Sequence, residues 1–180
     1  MARIHIYCGD GKGKSTAAAG LSIRMAGQGK PVVYARFLKS DDSGEVPVLM
    51  GVKEIELIPC EKTFGFTWQM GERQKEEARR YYGEMFEKAC QKACLLAENG
   101  KEDPGALLVL DEICAAVNGG FVEESALLMF LDGKPEGLEV VLTGRNPTEE
   151  MRRRADYITE MQMVKHPYTE GLRARRGVEY

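Results

Sequence analysis

The chain has 180 residues, of which 43% are hydrophobic and 29% are charged, a composition typical of a globular protein in which residues 1–180 form one domain around one core. Its 25 lysines and arginines nearly balance 28 aspartates and glutamates, and this lack of a basic excess argues against a nucleic-acid-binding protein. The apolar runs are too short for a membrane span, and the first residues are too soon interrupted for a signal peptide, which argues against membrane-spanning and secreted classes.

Apolar residues and glycines alternate along the first third of the chain in a way that predicts short strands separated by helices. A β-branched and aromatic run precedes the glycine-rich segment GDGKGK, and a stretch rich in small residues follows it. The predicted strands lie at 3–8, 31–38 and 55–58, and the predicted helices lie at 15–28 and near 46–50.

The strongest helical signal covers residues 72–99, where apolar residues recur at spacings of three and four with charges between them. Residues 106–111 (ALLVLD) form an uninterrupted apolar run that ends in an acid, which is typical of a central parallel strand. The remaining predicted elements are short helices near 112–118, 123–132 and 148–155 and strands at 139–143 and 157–164. This order implies a parallel sheet covered by helices on both faces, with ligands bound at the carboxyl ends of the strands.

The cysteines give no sign of a disulfide framework or a zinc ribbon, because their number is odd and no CxxC occurs. Cys90 and Cys94 are one helical turn apart and could in principle hold a metal, but they lack nearby histidines, and buried free thiols are the commoner case. We therefore expect reduced cysteines and a cytoplasmic location.

The segment GDGKGKST joins the first predicted strand to the first predicted helix, which is the placement required of a phosphate-binding loop. Its glycines let successive N–H groups point at phosphate oxygens, and the helix N-terminus adds a positive dipole end. Lys14 is expected to reach the phosphates and Ser15 to ligate Mg²⁺. The standard first glycine is replaced by Cys8, so the loop is a variant. The candidate nucleotide-binding residues are Gly9, Asp10, Gly11, Lys12, Gly13, Lys14, Ser15 and Thr16.

The strand 106–111 is followed by Glu112 and matches the second nucleotide-binding signature, an apolar strand that ends in acids. Asp111 is expected to hold Mg²⁺ directly or through water. Glu112 has three interpretations from the residues alone: the base of an ATPase, a second metal ligand, or a charge at the N-terminus of a helix.

Arg145 follows the strand at 139–143 and is expected at the same edge of the sheet, where it would contact phosphate charge. A surface arginine that starts a connection explains it equally well. The guanine-reading motif Asn-Lys-x-Asp does not occur in the sequence, which argues against a GTPase.

The loop at 64–69 holds the only tryptophan of the chain and two of its six phenylalanines. Packing of these aromatic side chains over the core is one interpretation. The other is that a flat apolar ligand lies over the loop. Composition does not choose between them.

Five motifs together resemble the P-loop type of ATP:corrinoid adenosyltransferase: GDGKGKST, GFTWQ before the long helix, VLDEI, LTGRNP and the closing RRGVEY. They occur in the order of that family, and the resemblance covers essentially the whole chain. The family's own loop reads GNGKGKTT, so the missing first glycine is shared. The resemblance implies a three-layer α/β fold of the P-loop NTPase (RecA-like) class, with a mainly parallel sheet between helices.

The resemblance also implies the activity: transfer of the 5′-deoxyadenosyl group of ATP to the Co(I) centre of a corrinoid, cob(I)yrinic acid a,c-diamide or cob(I)alamin, with release of triphosphate. Lys14, the loop and Mg²⁺ would then stabilise the departing triphosphate, Glu112 would serve Mg²⁺ rather than activate water, and Arg145 would contact phosphate. Phe66 and Trp68 match the family's aromatic pair at the corrin site, which helps to displace the lower axial ligand of Co(II). A homodimer and an electron-donating flavoprotein reductase are also implied.

Two other functions stay open at this point. One is a P-loop ATPase or phosphotransferase acting on a small molecule, with Asp111 or Glu112 as the base. The other is a non-enzymatic, ATP-dependent carrier that hands a corrinoid to a partner. Products and turnover separate both from adenosyl transfer.

Overall fold

The computed structural model describes residues 2–65, 70–99, 104–167 and 171–178. Its strands are β1 (Ile4–Cys8), β2 (Val32–Arg36), β3 (Ile55–Ile58), β4 (Ala106–Asp111), β5 (Leu138–Thr143) and β6 (Tyr157–Glu160). Its helices are α1 (Lys14–Ala26), α2 (Glu45–Met50), α3 (Glu72–Asn99), α4 (Ile113–Asn118), α5 (Glu124–Gly133) and α6 (Glu149–Arg154). These six strands form one sheet in the order β3-β2-β4-β5-β1-β6, and each neighbouring pair is parallel.

Helices cover both faces of this sheet, which gives the protein three layers. On one face, Ala18 and Met25 of α1 pack against central-strand residues such as Val109. On the other face, residues of α3, α4, α5 and α6 pack against the alternate side chains of the same strands. Because both faces are covered, every residue of β2 and β4 is buried. These strands are apolar runs up to the charged residue that ends each of them, Arg36 and Asp111. The predicted α/β fold of P-loop type is confirmed.

The topology opens a crevice at the carboxyl ends of the central strands. β1 lies beside β5, whereas β2, the next strand along the chain, lies beyond β4, and α1 crosses over β4 and β5 to reach it. α1 and α4 then leave β1 and β4 on opposite faces of the sheet. Strands whose connections leave in opposite directions create a ligand-binding crevice between them.

Predicted and observed boundaries coincide for β3, α3 and β4, and the larger differences concern two strand ends. β2 was expected to reach residue 38 but ends at Arg36, because Leu38 has a φ of 57° and leaves the extended conformation. β6 was expected to reach residue 164 but ends at Glu160. The residues that follow β6 turn to contact the loop after β1, so they no longer pair with the sheet edge.

β6 is an edge strand whose four residues are all exposed. Tyr157 is 54% exposed and Ile158 is 42% exposed, so this edge carries apolar surface. Among the described helices, none is long and apolar enough to cross a lipid bilayer.

Candidate active site

The loop between β1 and α1 is shaped by glycines for two separate reasons. Gly9 and Gly13 have φ values of 98° and 115°, a backbone conformation that favours glycine. A Cβ at Gly9 or Gly11 would also lie 2.4 or 2.6 Å from the carbonyl oxygen of Met161. The loop and the segment after β6 therefore touch backbone to backbone, and a side chain at either position would separate them.

One backbone group of this loop differs from the sequence-based expectation. The prediction was that successive loop N–H groups face phosphate, but the N–H of Gly11 donates to the carbonyl of Met161 over 2.7 Å. The carboxylate of Asp10 accepts a hydrogen bond of 3.0 Å from the N–H of Met163. The side chains of Asp10 and Lys12 are exposed, as is that of Thr16 in α1. The loop is thus fixed from one side by a segment that sequence analysis had assigned to a strand.

Lys14 is the first residue of α1, and it is 8% exposed. Its ammonium donates to the carbonyl oxygens of Gly9 and Gly11, both over 2.8 Å. Burial lowers the pKa of Lys14, the charges of Arg145 and Lys39 lower it further, and the carboxylate of Glu112 acts in the opposite direction. The lysine was expected to be open to a ligand, whereas here it closes its own loop.

Asp111 ends β4 and is completely buried, yet both of its carboxylate oxygens have partners. The hydroxyl of Thr143 donates to Oδ1 over 2.6 Å, and the ammonium of Lys39 donates to Oδ2 over 2.7 Å. The Thr143 hydroxyl also accepts the backbone N–H of Glu112 over 2.8 Å. Thr143 therefore orients Asp111 and fixes the turn that follows it.

Lys39 connects the two nucleotide-binding signatures. Its ammonium lies 2.6 Å from the hydroxyl oxygen of Ser15 and 2.7 Å from Asp111 Oδ2. It also lies 3.9 Å from Glu112 Oε1. One cation thus links the three side chains that the sequence predicts as metal ligands, Ser15, Asp111 and Glu112.

Glu112 adopts a left-handed backbone conformation, with φ 63°, immediately before α4. For a residue with a side chain this conformation costs about 1–3 kcal/mol and is most often found at functional sites. The cost is offset by the contacts that hold the turn, including the hydrogen bond to Thr143. The result is that the Glu112 carboxylate lies beside the ammonium that binds Asp111.

The side chains of Ser15, Asp111 and Glu112 form a donor set suited to Mg²⁺. Hydroxyl and carboxylate oxygens are its preferred ligands, and it is usually bound through one or two carboxylates together with substrate phosphates. In the described part of the chain there is no group of three or more His, Cys, Asp or Glu residues that could enclose a metal. A metal at Ser15 and Asp111 would therefore take its remaining ligands from substrate or water.

A cavity of about 660 Å³ adjoins these residues, a size typical of small-molecule sites. It is lined by Ser15, Thr16 and Lys39 on one side and by Gly177 and Val178 of the closing RRGVEY motif on the other. Gly177 and Val178 therefore line the same cavity as Ser15 and Thr16, although they stand at the opposite end of the sequence.

Arg36, the last residue of β2, also lines the cavity and is completely buried. One guanidinium nitrogen lies 3.3 Å from Asp41 Oδ1. Its Nε and its other terminal nitrogen have no hydrogen-bond partner among the described residues, although that terminal nitrogen lies 3.8 Å from Glu45 Oε1. A buried guanidinium with unsatisfied donors next to a cavity is suited to an anionic or carbonyl-bearing ligand.

Arg145 lies on a connection that is held firmly in place. Gly144 has a φ of 140°, and a Cβ there would lie 2.7 Å from the Cβ of Cys114. The Asn118 amide donates to the carbonyls of Arg145 and Asn146 over 3.3 and 2.9 Å. The Arg145 side chain is exposed, and its charge acts on Lys14, so it belongs to the same edge of the sheet.

Phe66 and Trp68 lie outside the described residues. The described residues on either side of them are anchored to the core. The ring centroid of Phe64 lies 5.7 Å from those of Tyr81 and Tyr82 of α3, and Met70 is buried in the same core cluster. The residues that flank the aromatic loop, Phe64 and Met70, are thus both packed against the core.

Sequence reasoning missed Lys39, Arg36 and the role of Thr143. Arg36 and Thr143 are the last residues of β2 and β5, and Lys39 directly follows the predicted strand 31–38. That position was the available signal, because ligands of parallel sheets bind at this edge.

Comparison with known proteins gives a consistent result. The sequence model of the family ATP:corrinoid adenosyltransferase BtuR/CobO/CobP matches residues 1–180. A corrinoid adenosyltransferase of Sinorhizobium sp is 35% identical over 98% of this chain and 79% of its own length. Corrinoid adenosyltransferases of Pseudomonas aeruginosa and Salmonella typhimurium are 33% and 30% identical, over 97% and 98% of this chain and 82% and 85% of their own lengths.

Proposed function

The chain belongs to the ATP:corrinoid adenosyltransferase family, and from this premise we propose that the carboxyl edge of its sheet holds the triphosphate of ATP during adenosyl transfer. The protein is an enzyme of cobalamin biosynthesis that transfers the 5′-deoxyadenosyl group of ATP to corrinoid cobalt. Family membership therefore favours this reaction over the ATPase, phosphotransferase and carrier functions. One observation carries the assignment of the site: the Ser15 hydroxyl and the Asp111 carboxylate bind the same cation.

Ser15, Asp111 and Glu112 would hold Mg²⁺ at this position. Two of these side chains contact the Lys39 ammonium directly and the third lies 3.9 Å from it. The bound ion would supply positive charge to the triphosphate. Thr143 would keep Asp111 in the orientation that this binding needs, because it occupies the other carboxylate oxygen.

The reaction itself makes a small demand on protein side chains. Co(I) attacks the ribose C5′, the Co–C bond forms as the C5′–O bond breaks, and the electron pair of that bond stays on the triphosphate. Cobalt supplies two electrons and ends as an alkylated Co(III). The nucleophile has no proton to lose, so a general base is not required, and Glu112 is available to the metal instead of activating water.

The residues around the phosphate loop would stabilise the departing triphosphate. Lys14 would exchange its two loop carbonyls for phosphate oxygens, and Arg145 would add a second charge from the neighbouring connection. Backbone N–H groups of the loop and the side chains of Lys12 and Thr16 would complete the contacts. Positive charge placed where negative charge grows is usually the largest electrostatic contribution to catalysis.

Phe66 and Trp68 are proposed to shape the axial face of the corrin. The support is their match to the family's aromatic pair and the anchoring of the loop through Phe64. Apolar side chains suit this role, because they occupy the axial position without offering a donor atom to cobalt. Phe66→Ala and Trp68→Ala should then slow turnover from Co(II) with a mild reductant. Both variants should recover much of the rate when Co(I) is supplied ready-made. An equal loss from both cobalt states would contradict the assignment.

Four further properties are proposed. All five cysteines are free thiols, which favours a reducing, cytoplasmic location. The exposed apolar edge at β6 is a candidate surface for a homodimer, to be tested by light scattering. An electron-donating flavoprotein reductase would supply Co(I). Residues 1–180 would act as one domain, since the family match extends over all of them.

The activity is tested with purified protein, MgATP and a chemically reduced Co(I) corrinoid. We expect a light-sensitive Co–C product, detected by absorbance, that requires both ATP and Mg²⁺. If chelation of Mg²⁺ leaves product formation unchanged, the proposed metal site is wrong. The absence of any alkylated product over many possible turnovers would overturn the enzymatic function.

A further inference from the structure

Lys39 stands at the position that the proposed function gives to Mg²⁺. We propose that its ammonium is the resident cation of this position in the nucleotide-free protein, and that metal binding displaces it onto the triphosphate of ATP. This inference rests on the proposed metal site, because it assigns the same oxygens to two alternative cations.

The first argument is the need for a cation in the nucleotide-free protein. Asp111 is completely buried, and Thr143 satisfies one carboxylate oxygen without neutralising its charge. A buried carboxylate without a countercharge is strongly destabilising. Among the described residues it is the Lys39 ammonium, 2.7 Å from the other oxygen, that supplies this charge.

The second argument is mutual exclusion. Mg²⁺ binds oxygen ligands at about 2.0–2.1 Å, so an ion shared by Ser15 and Asp111 would occupy the space between them. The Lys39 ammonium is already within 2.6 and 2.7 Å of the same two oxygens. Two cations that contact the same two oxygens would lie close together and repel each other strongly. Binding of one therefore requires departure of the other.

The third argument concerns the place to which Lys39 can move. Its side chain is 26% exposed, in contrast to the fully buried Asp111. It lines the cavity of about 660 Å³ together with Ser15 and Thr16. A lysine side chain is a flexible four-carbon stem, so rotation about its own bonds is sufficient to carry the ammonium from Asp111 into this cavity.

The exchange gives the triphosphate a further cation besides Lys14 and Arg145. Lys14 is held between the carbonyls of Gly9 and Gly11, whereas Lys39 already lines the cavity. Binding of MgATP would free the Lys39 ammonium to contact the triphosphate before the C5′–O bond breaks. Mg²⁺ would then neutralise Asp111, and Lys39 would join the cations that stabilise the leaving group.

The test uses Lys39→Met in the full-length protein, with Lys53→Met as the matched control. Lys53 is an exposed lysine just before β3, at the opposite edge of the sheet. Thermal unfolding is measured in chelator, and Mg²⁺ binding is measured by calorimetry, both without nucleotide. In chelator we expect Lys39→Met to unfold at a lower temperature than the unsubstituted protein. We also expect it to bind Mg²⁺ roughly tenfold more tightly than the unsubstituted protein, an effect typical of linked binding equilibria.

A second measurement tests whether the displaced Lys39 ammonium binds the triphosphate. Binding of inorganic triphosphate with saturating Mg²⁺ should weaken about tenfold or more in Lys39→Met, because a charge-assisted contact is lost. The control variant should match the unsubstituted protein in both measurements. Mg²⁺ binding that is unchanged or weaker in Lys39→Met, or unchanged triphosphate binding, would overturn the proposal.

Failure of this inference can be separated from failure of the proposed function. If the unsubstituted protein adenosylates Co(I) corrinoid but Mg²⁺ binding ignores Lys39, then the exchange alone is wrong. If the unsubstituted protein does not bind Mg²⁺ and triphosphate together, then the metal site itself is wrong, and the exchange falls with it. Should Lys39→Met fail to fold, Lys39→Gln takes its place with the same expectations, since it keeps a hydrogen-bond donor without the charge.

Discussion

The two edges of the sheet carry charged clusters of opposite character. At the amino edge, Asp156 accepts hydrogen bonds from the backbone of Ile4 and from the guanidinium of Arg3, each over 2.9 Å. Glu139 binds the backbone N–H of Arg3 over 2.6 Å and the ring of His5 over 2.5 Å. Each carboxylate there is partly exposed and has two partners, one of which is a backbone N–H at or just before the start of β1.

At the carboxyl edge three charged side chains are buried. Asp111 and Arg36 are completely inaccessible, and Lys14 is 8% exposed. Two guanidinium nitrogens of Arg36 have no hydrogen-bond partner among the described residues. The Lys14 ammonium is held by carbonyls of its own loop. Each of the three has a partner, either a charged side chain or a backbone carbonyl, that a phosphate or a metal can replace.

The charges at the amino edge hold the first strand in place, whereas the buried charges at the carboxyl edge are positioned to bind a ligand. An exposed ion pair contributes about 0–1 kcal/mol, whereas removing one partner of a buried pair costs about 3–5 kcal/mol. The sheet keeps its buried charges at one edge, where their desolvation is compensated by ligand binding. Substitutions at this edge should change activity most, and substitutions at the other edge should change stability alone.

The largest effect is expected from Asp111→Asn. The amide keeps the shape of the side chain and a bond to Thr143 but removes the charge that the metal needs, so kcat/KM for adenosyl transfer should fall about a thousandfold or more. Circular dichroism should show an unchanged fold. A rate within tenfold of that of the unsubstituted protein would mean that Asp111 is a structural residue.

Lys14→Ala should lower kcat/KM about a hundredfold or more, because it removes a charge from the leaving-group site. Since its ammonium also binds Gly9 and Gly11, the melting temperature should fall as well. Saturating ATP should recover part of that stability, because ligand binding to the folded state stabilises it. Near-normal kinetics in a folded variant would contradict the phosphate-loop assignment.

Arg36→Met separates stability from binding. The guanidinium, which has two unsatisfied donors, is replaced by an apolar side chain of similar length. Its acidic neighbours Asp41 and Glu45 are about one-third exposed and can be hydrated, so stability should change little. ATP affinity should fall about tenfold, because a cationic donor is lost from the cavity. Calorimetry with MgATP and thermal unfolding without it give the two quantities. A large loss of stability with unchanged affinity would place Arg36 among the purely structural charges.

Asp156→Asn should give the smallest effect, and on stability alone. The hydrogen bond from the Ile4 backbone and the Arg3 guanidinium keep the pKa of Asp156 below its usual value of 3.8. Its carboxylate therefore stabilises the fold fully above pH of about 4, and this contribution is lost as the pH falls through the lower folded-state pKa. The variant should lose up to about 1 kcal/mol at neutral pH and a part of the acid sensitivity. Any change in kcat/KM would contradict the division between the two edges.

Sequence reasoning predicted what depends on local pattern. The phosphate loop, the acid at the end of β4 and the bounds of α3 are set by residue types that are close together in the chain, and the helical and strand periods are visible there. The Lys39–Asp111 ion pair joins residues 72 positions apart, and the Asp10–Met163 contact joins residues 153 positions apart.

These long-range contacts follow from the order of strands in the sheet, which periodicity does not specify. Had β2 been placed beside β4 at the outset, Lys39 would have been expected near Asp111, because the two strands pair with Arg36 opposite Asp111. The short extent of β6 was missed for a similar reason. The residues that follow β6 bind the loop after β1, where the N–H of Gly11 donates to the carbonyl of Met161. This contact forms only once the strands are assembled into the sheet.

The central claim, that buried charges at the carboxyl edge serve a departing triphosphate, is tested most directly by product stoichiometry. Purified protein with MgATP and Co(I) corrinoid should release one inorganic triphosphate for each adenosylated corrinoid formed, and with MgATP alone it should release little phosphate. Formation of ADP and phosphate at a comparable rate without corrinoid would contradict the claim and assign the same edge to hydrolysis.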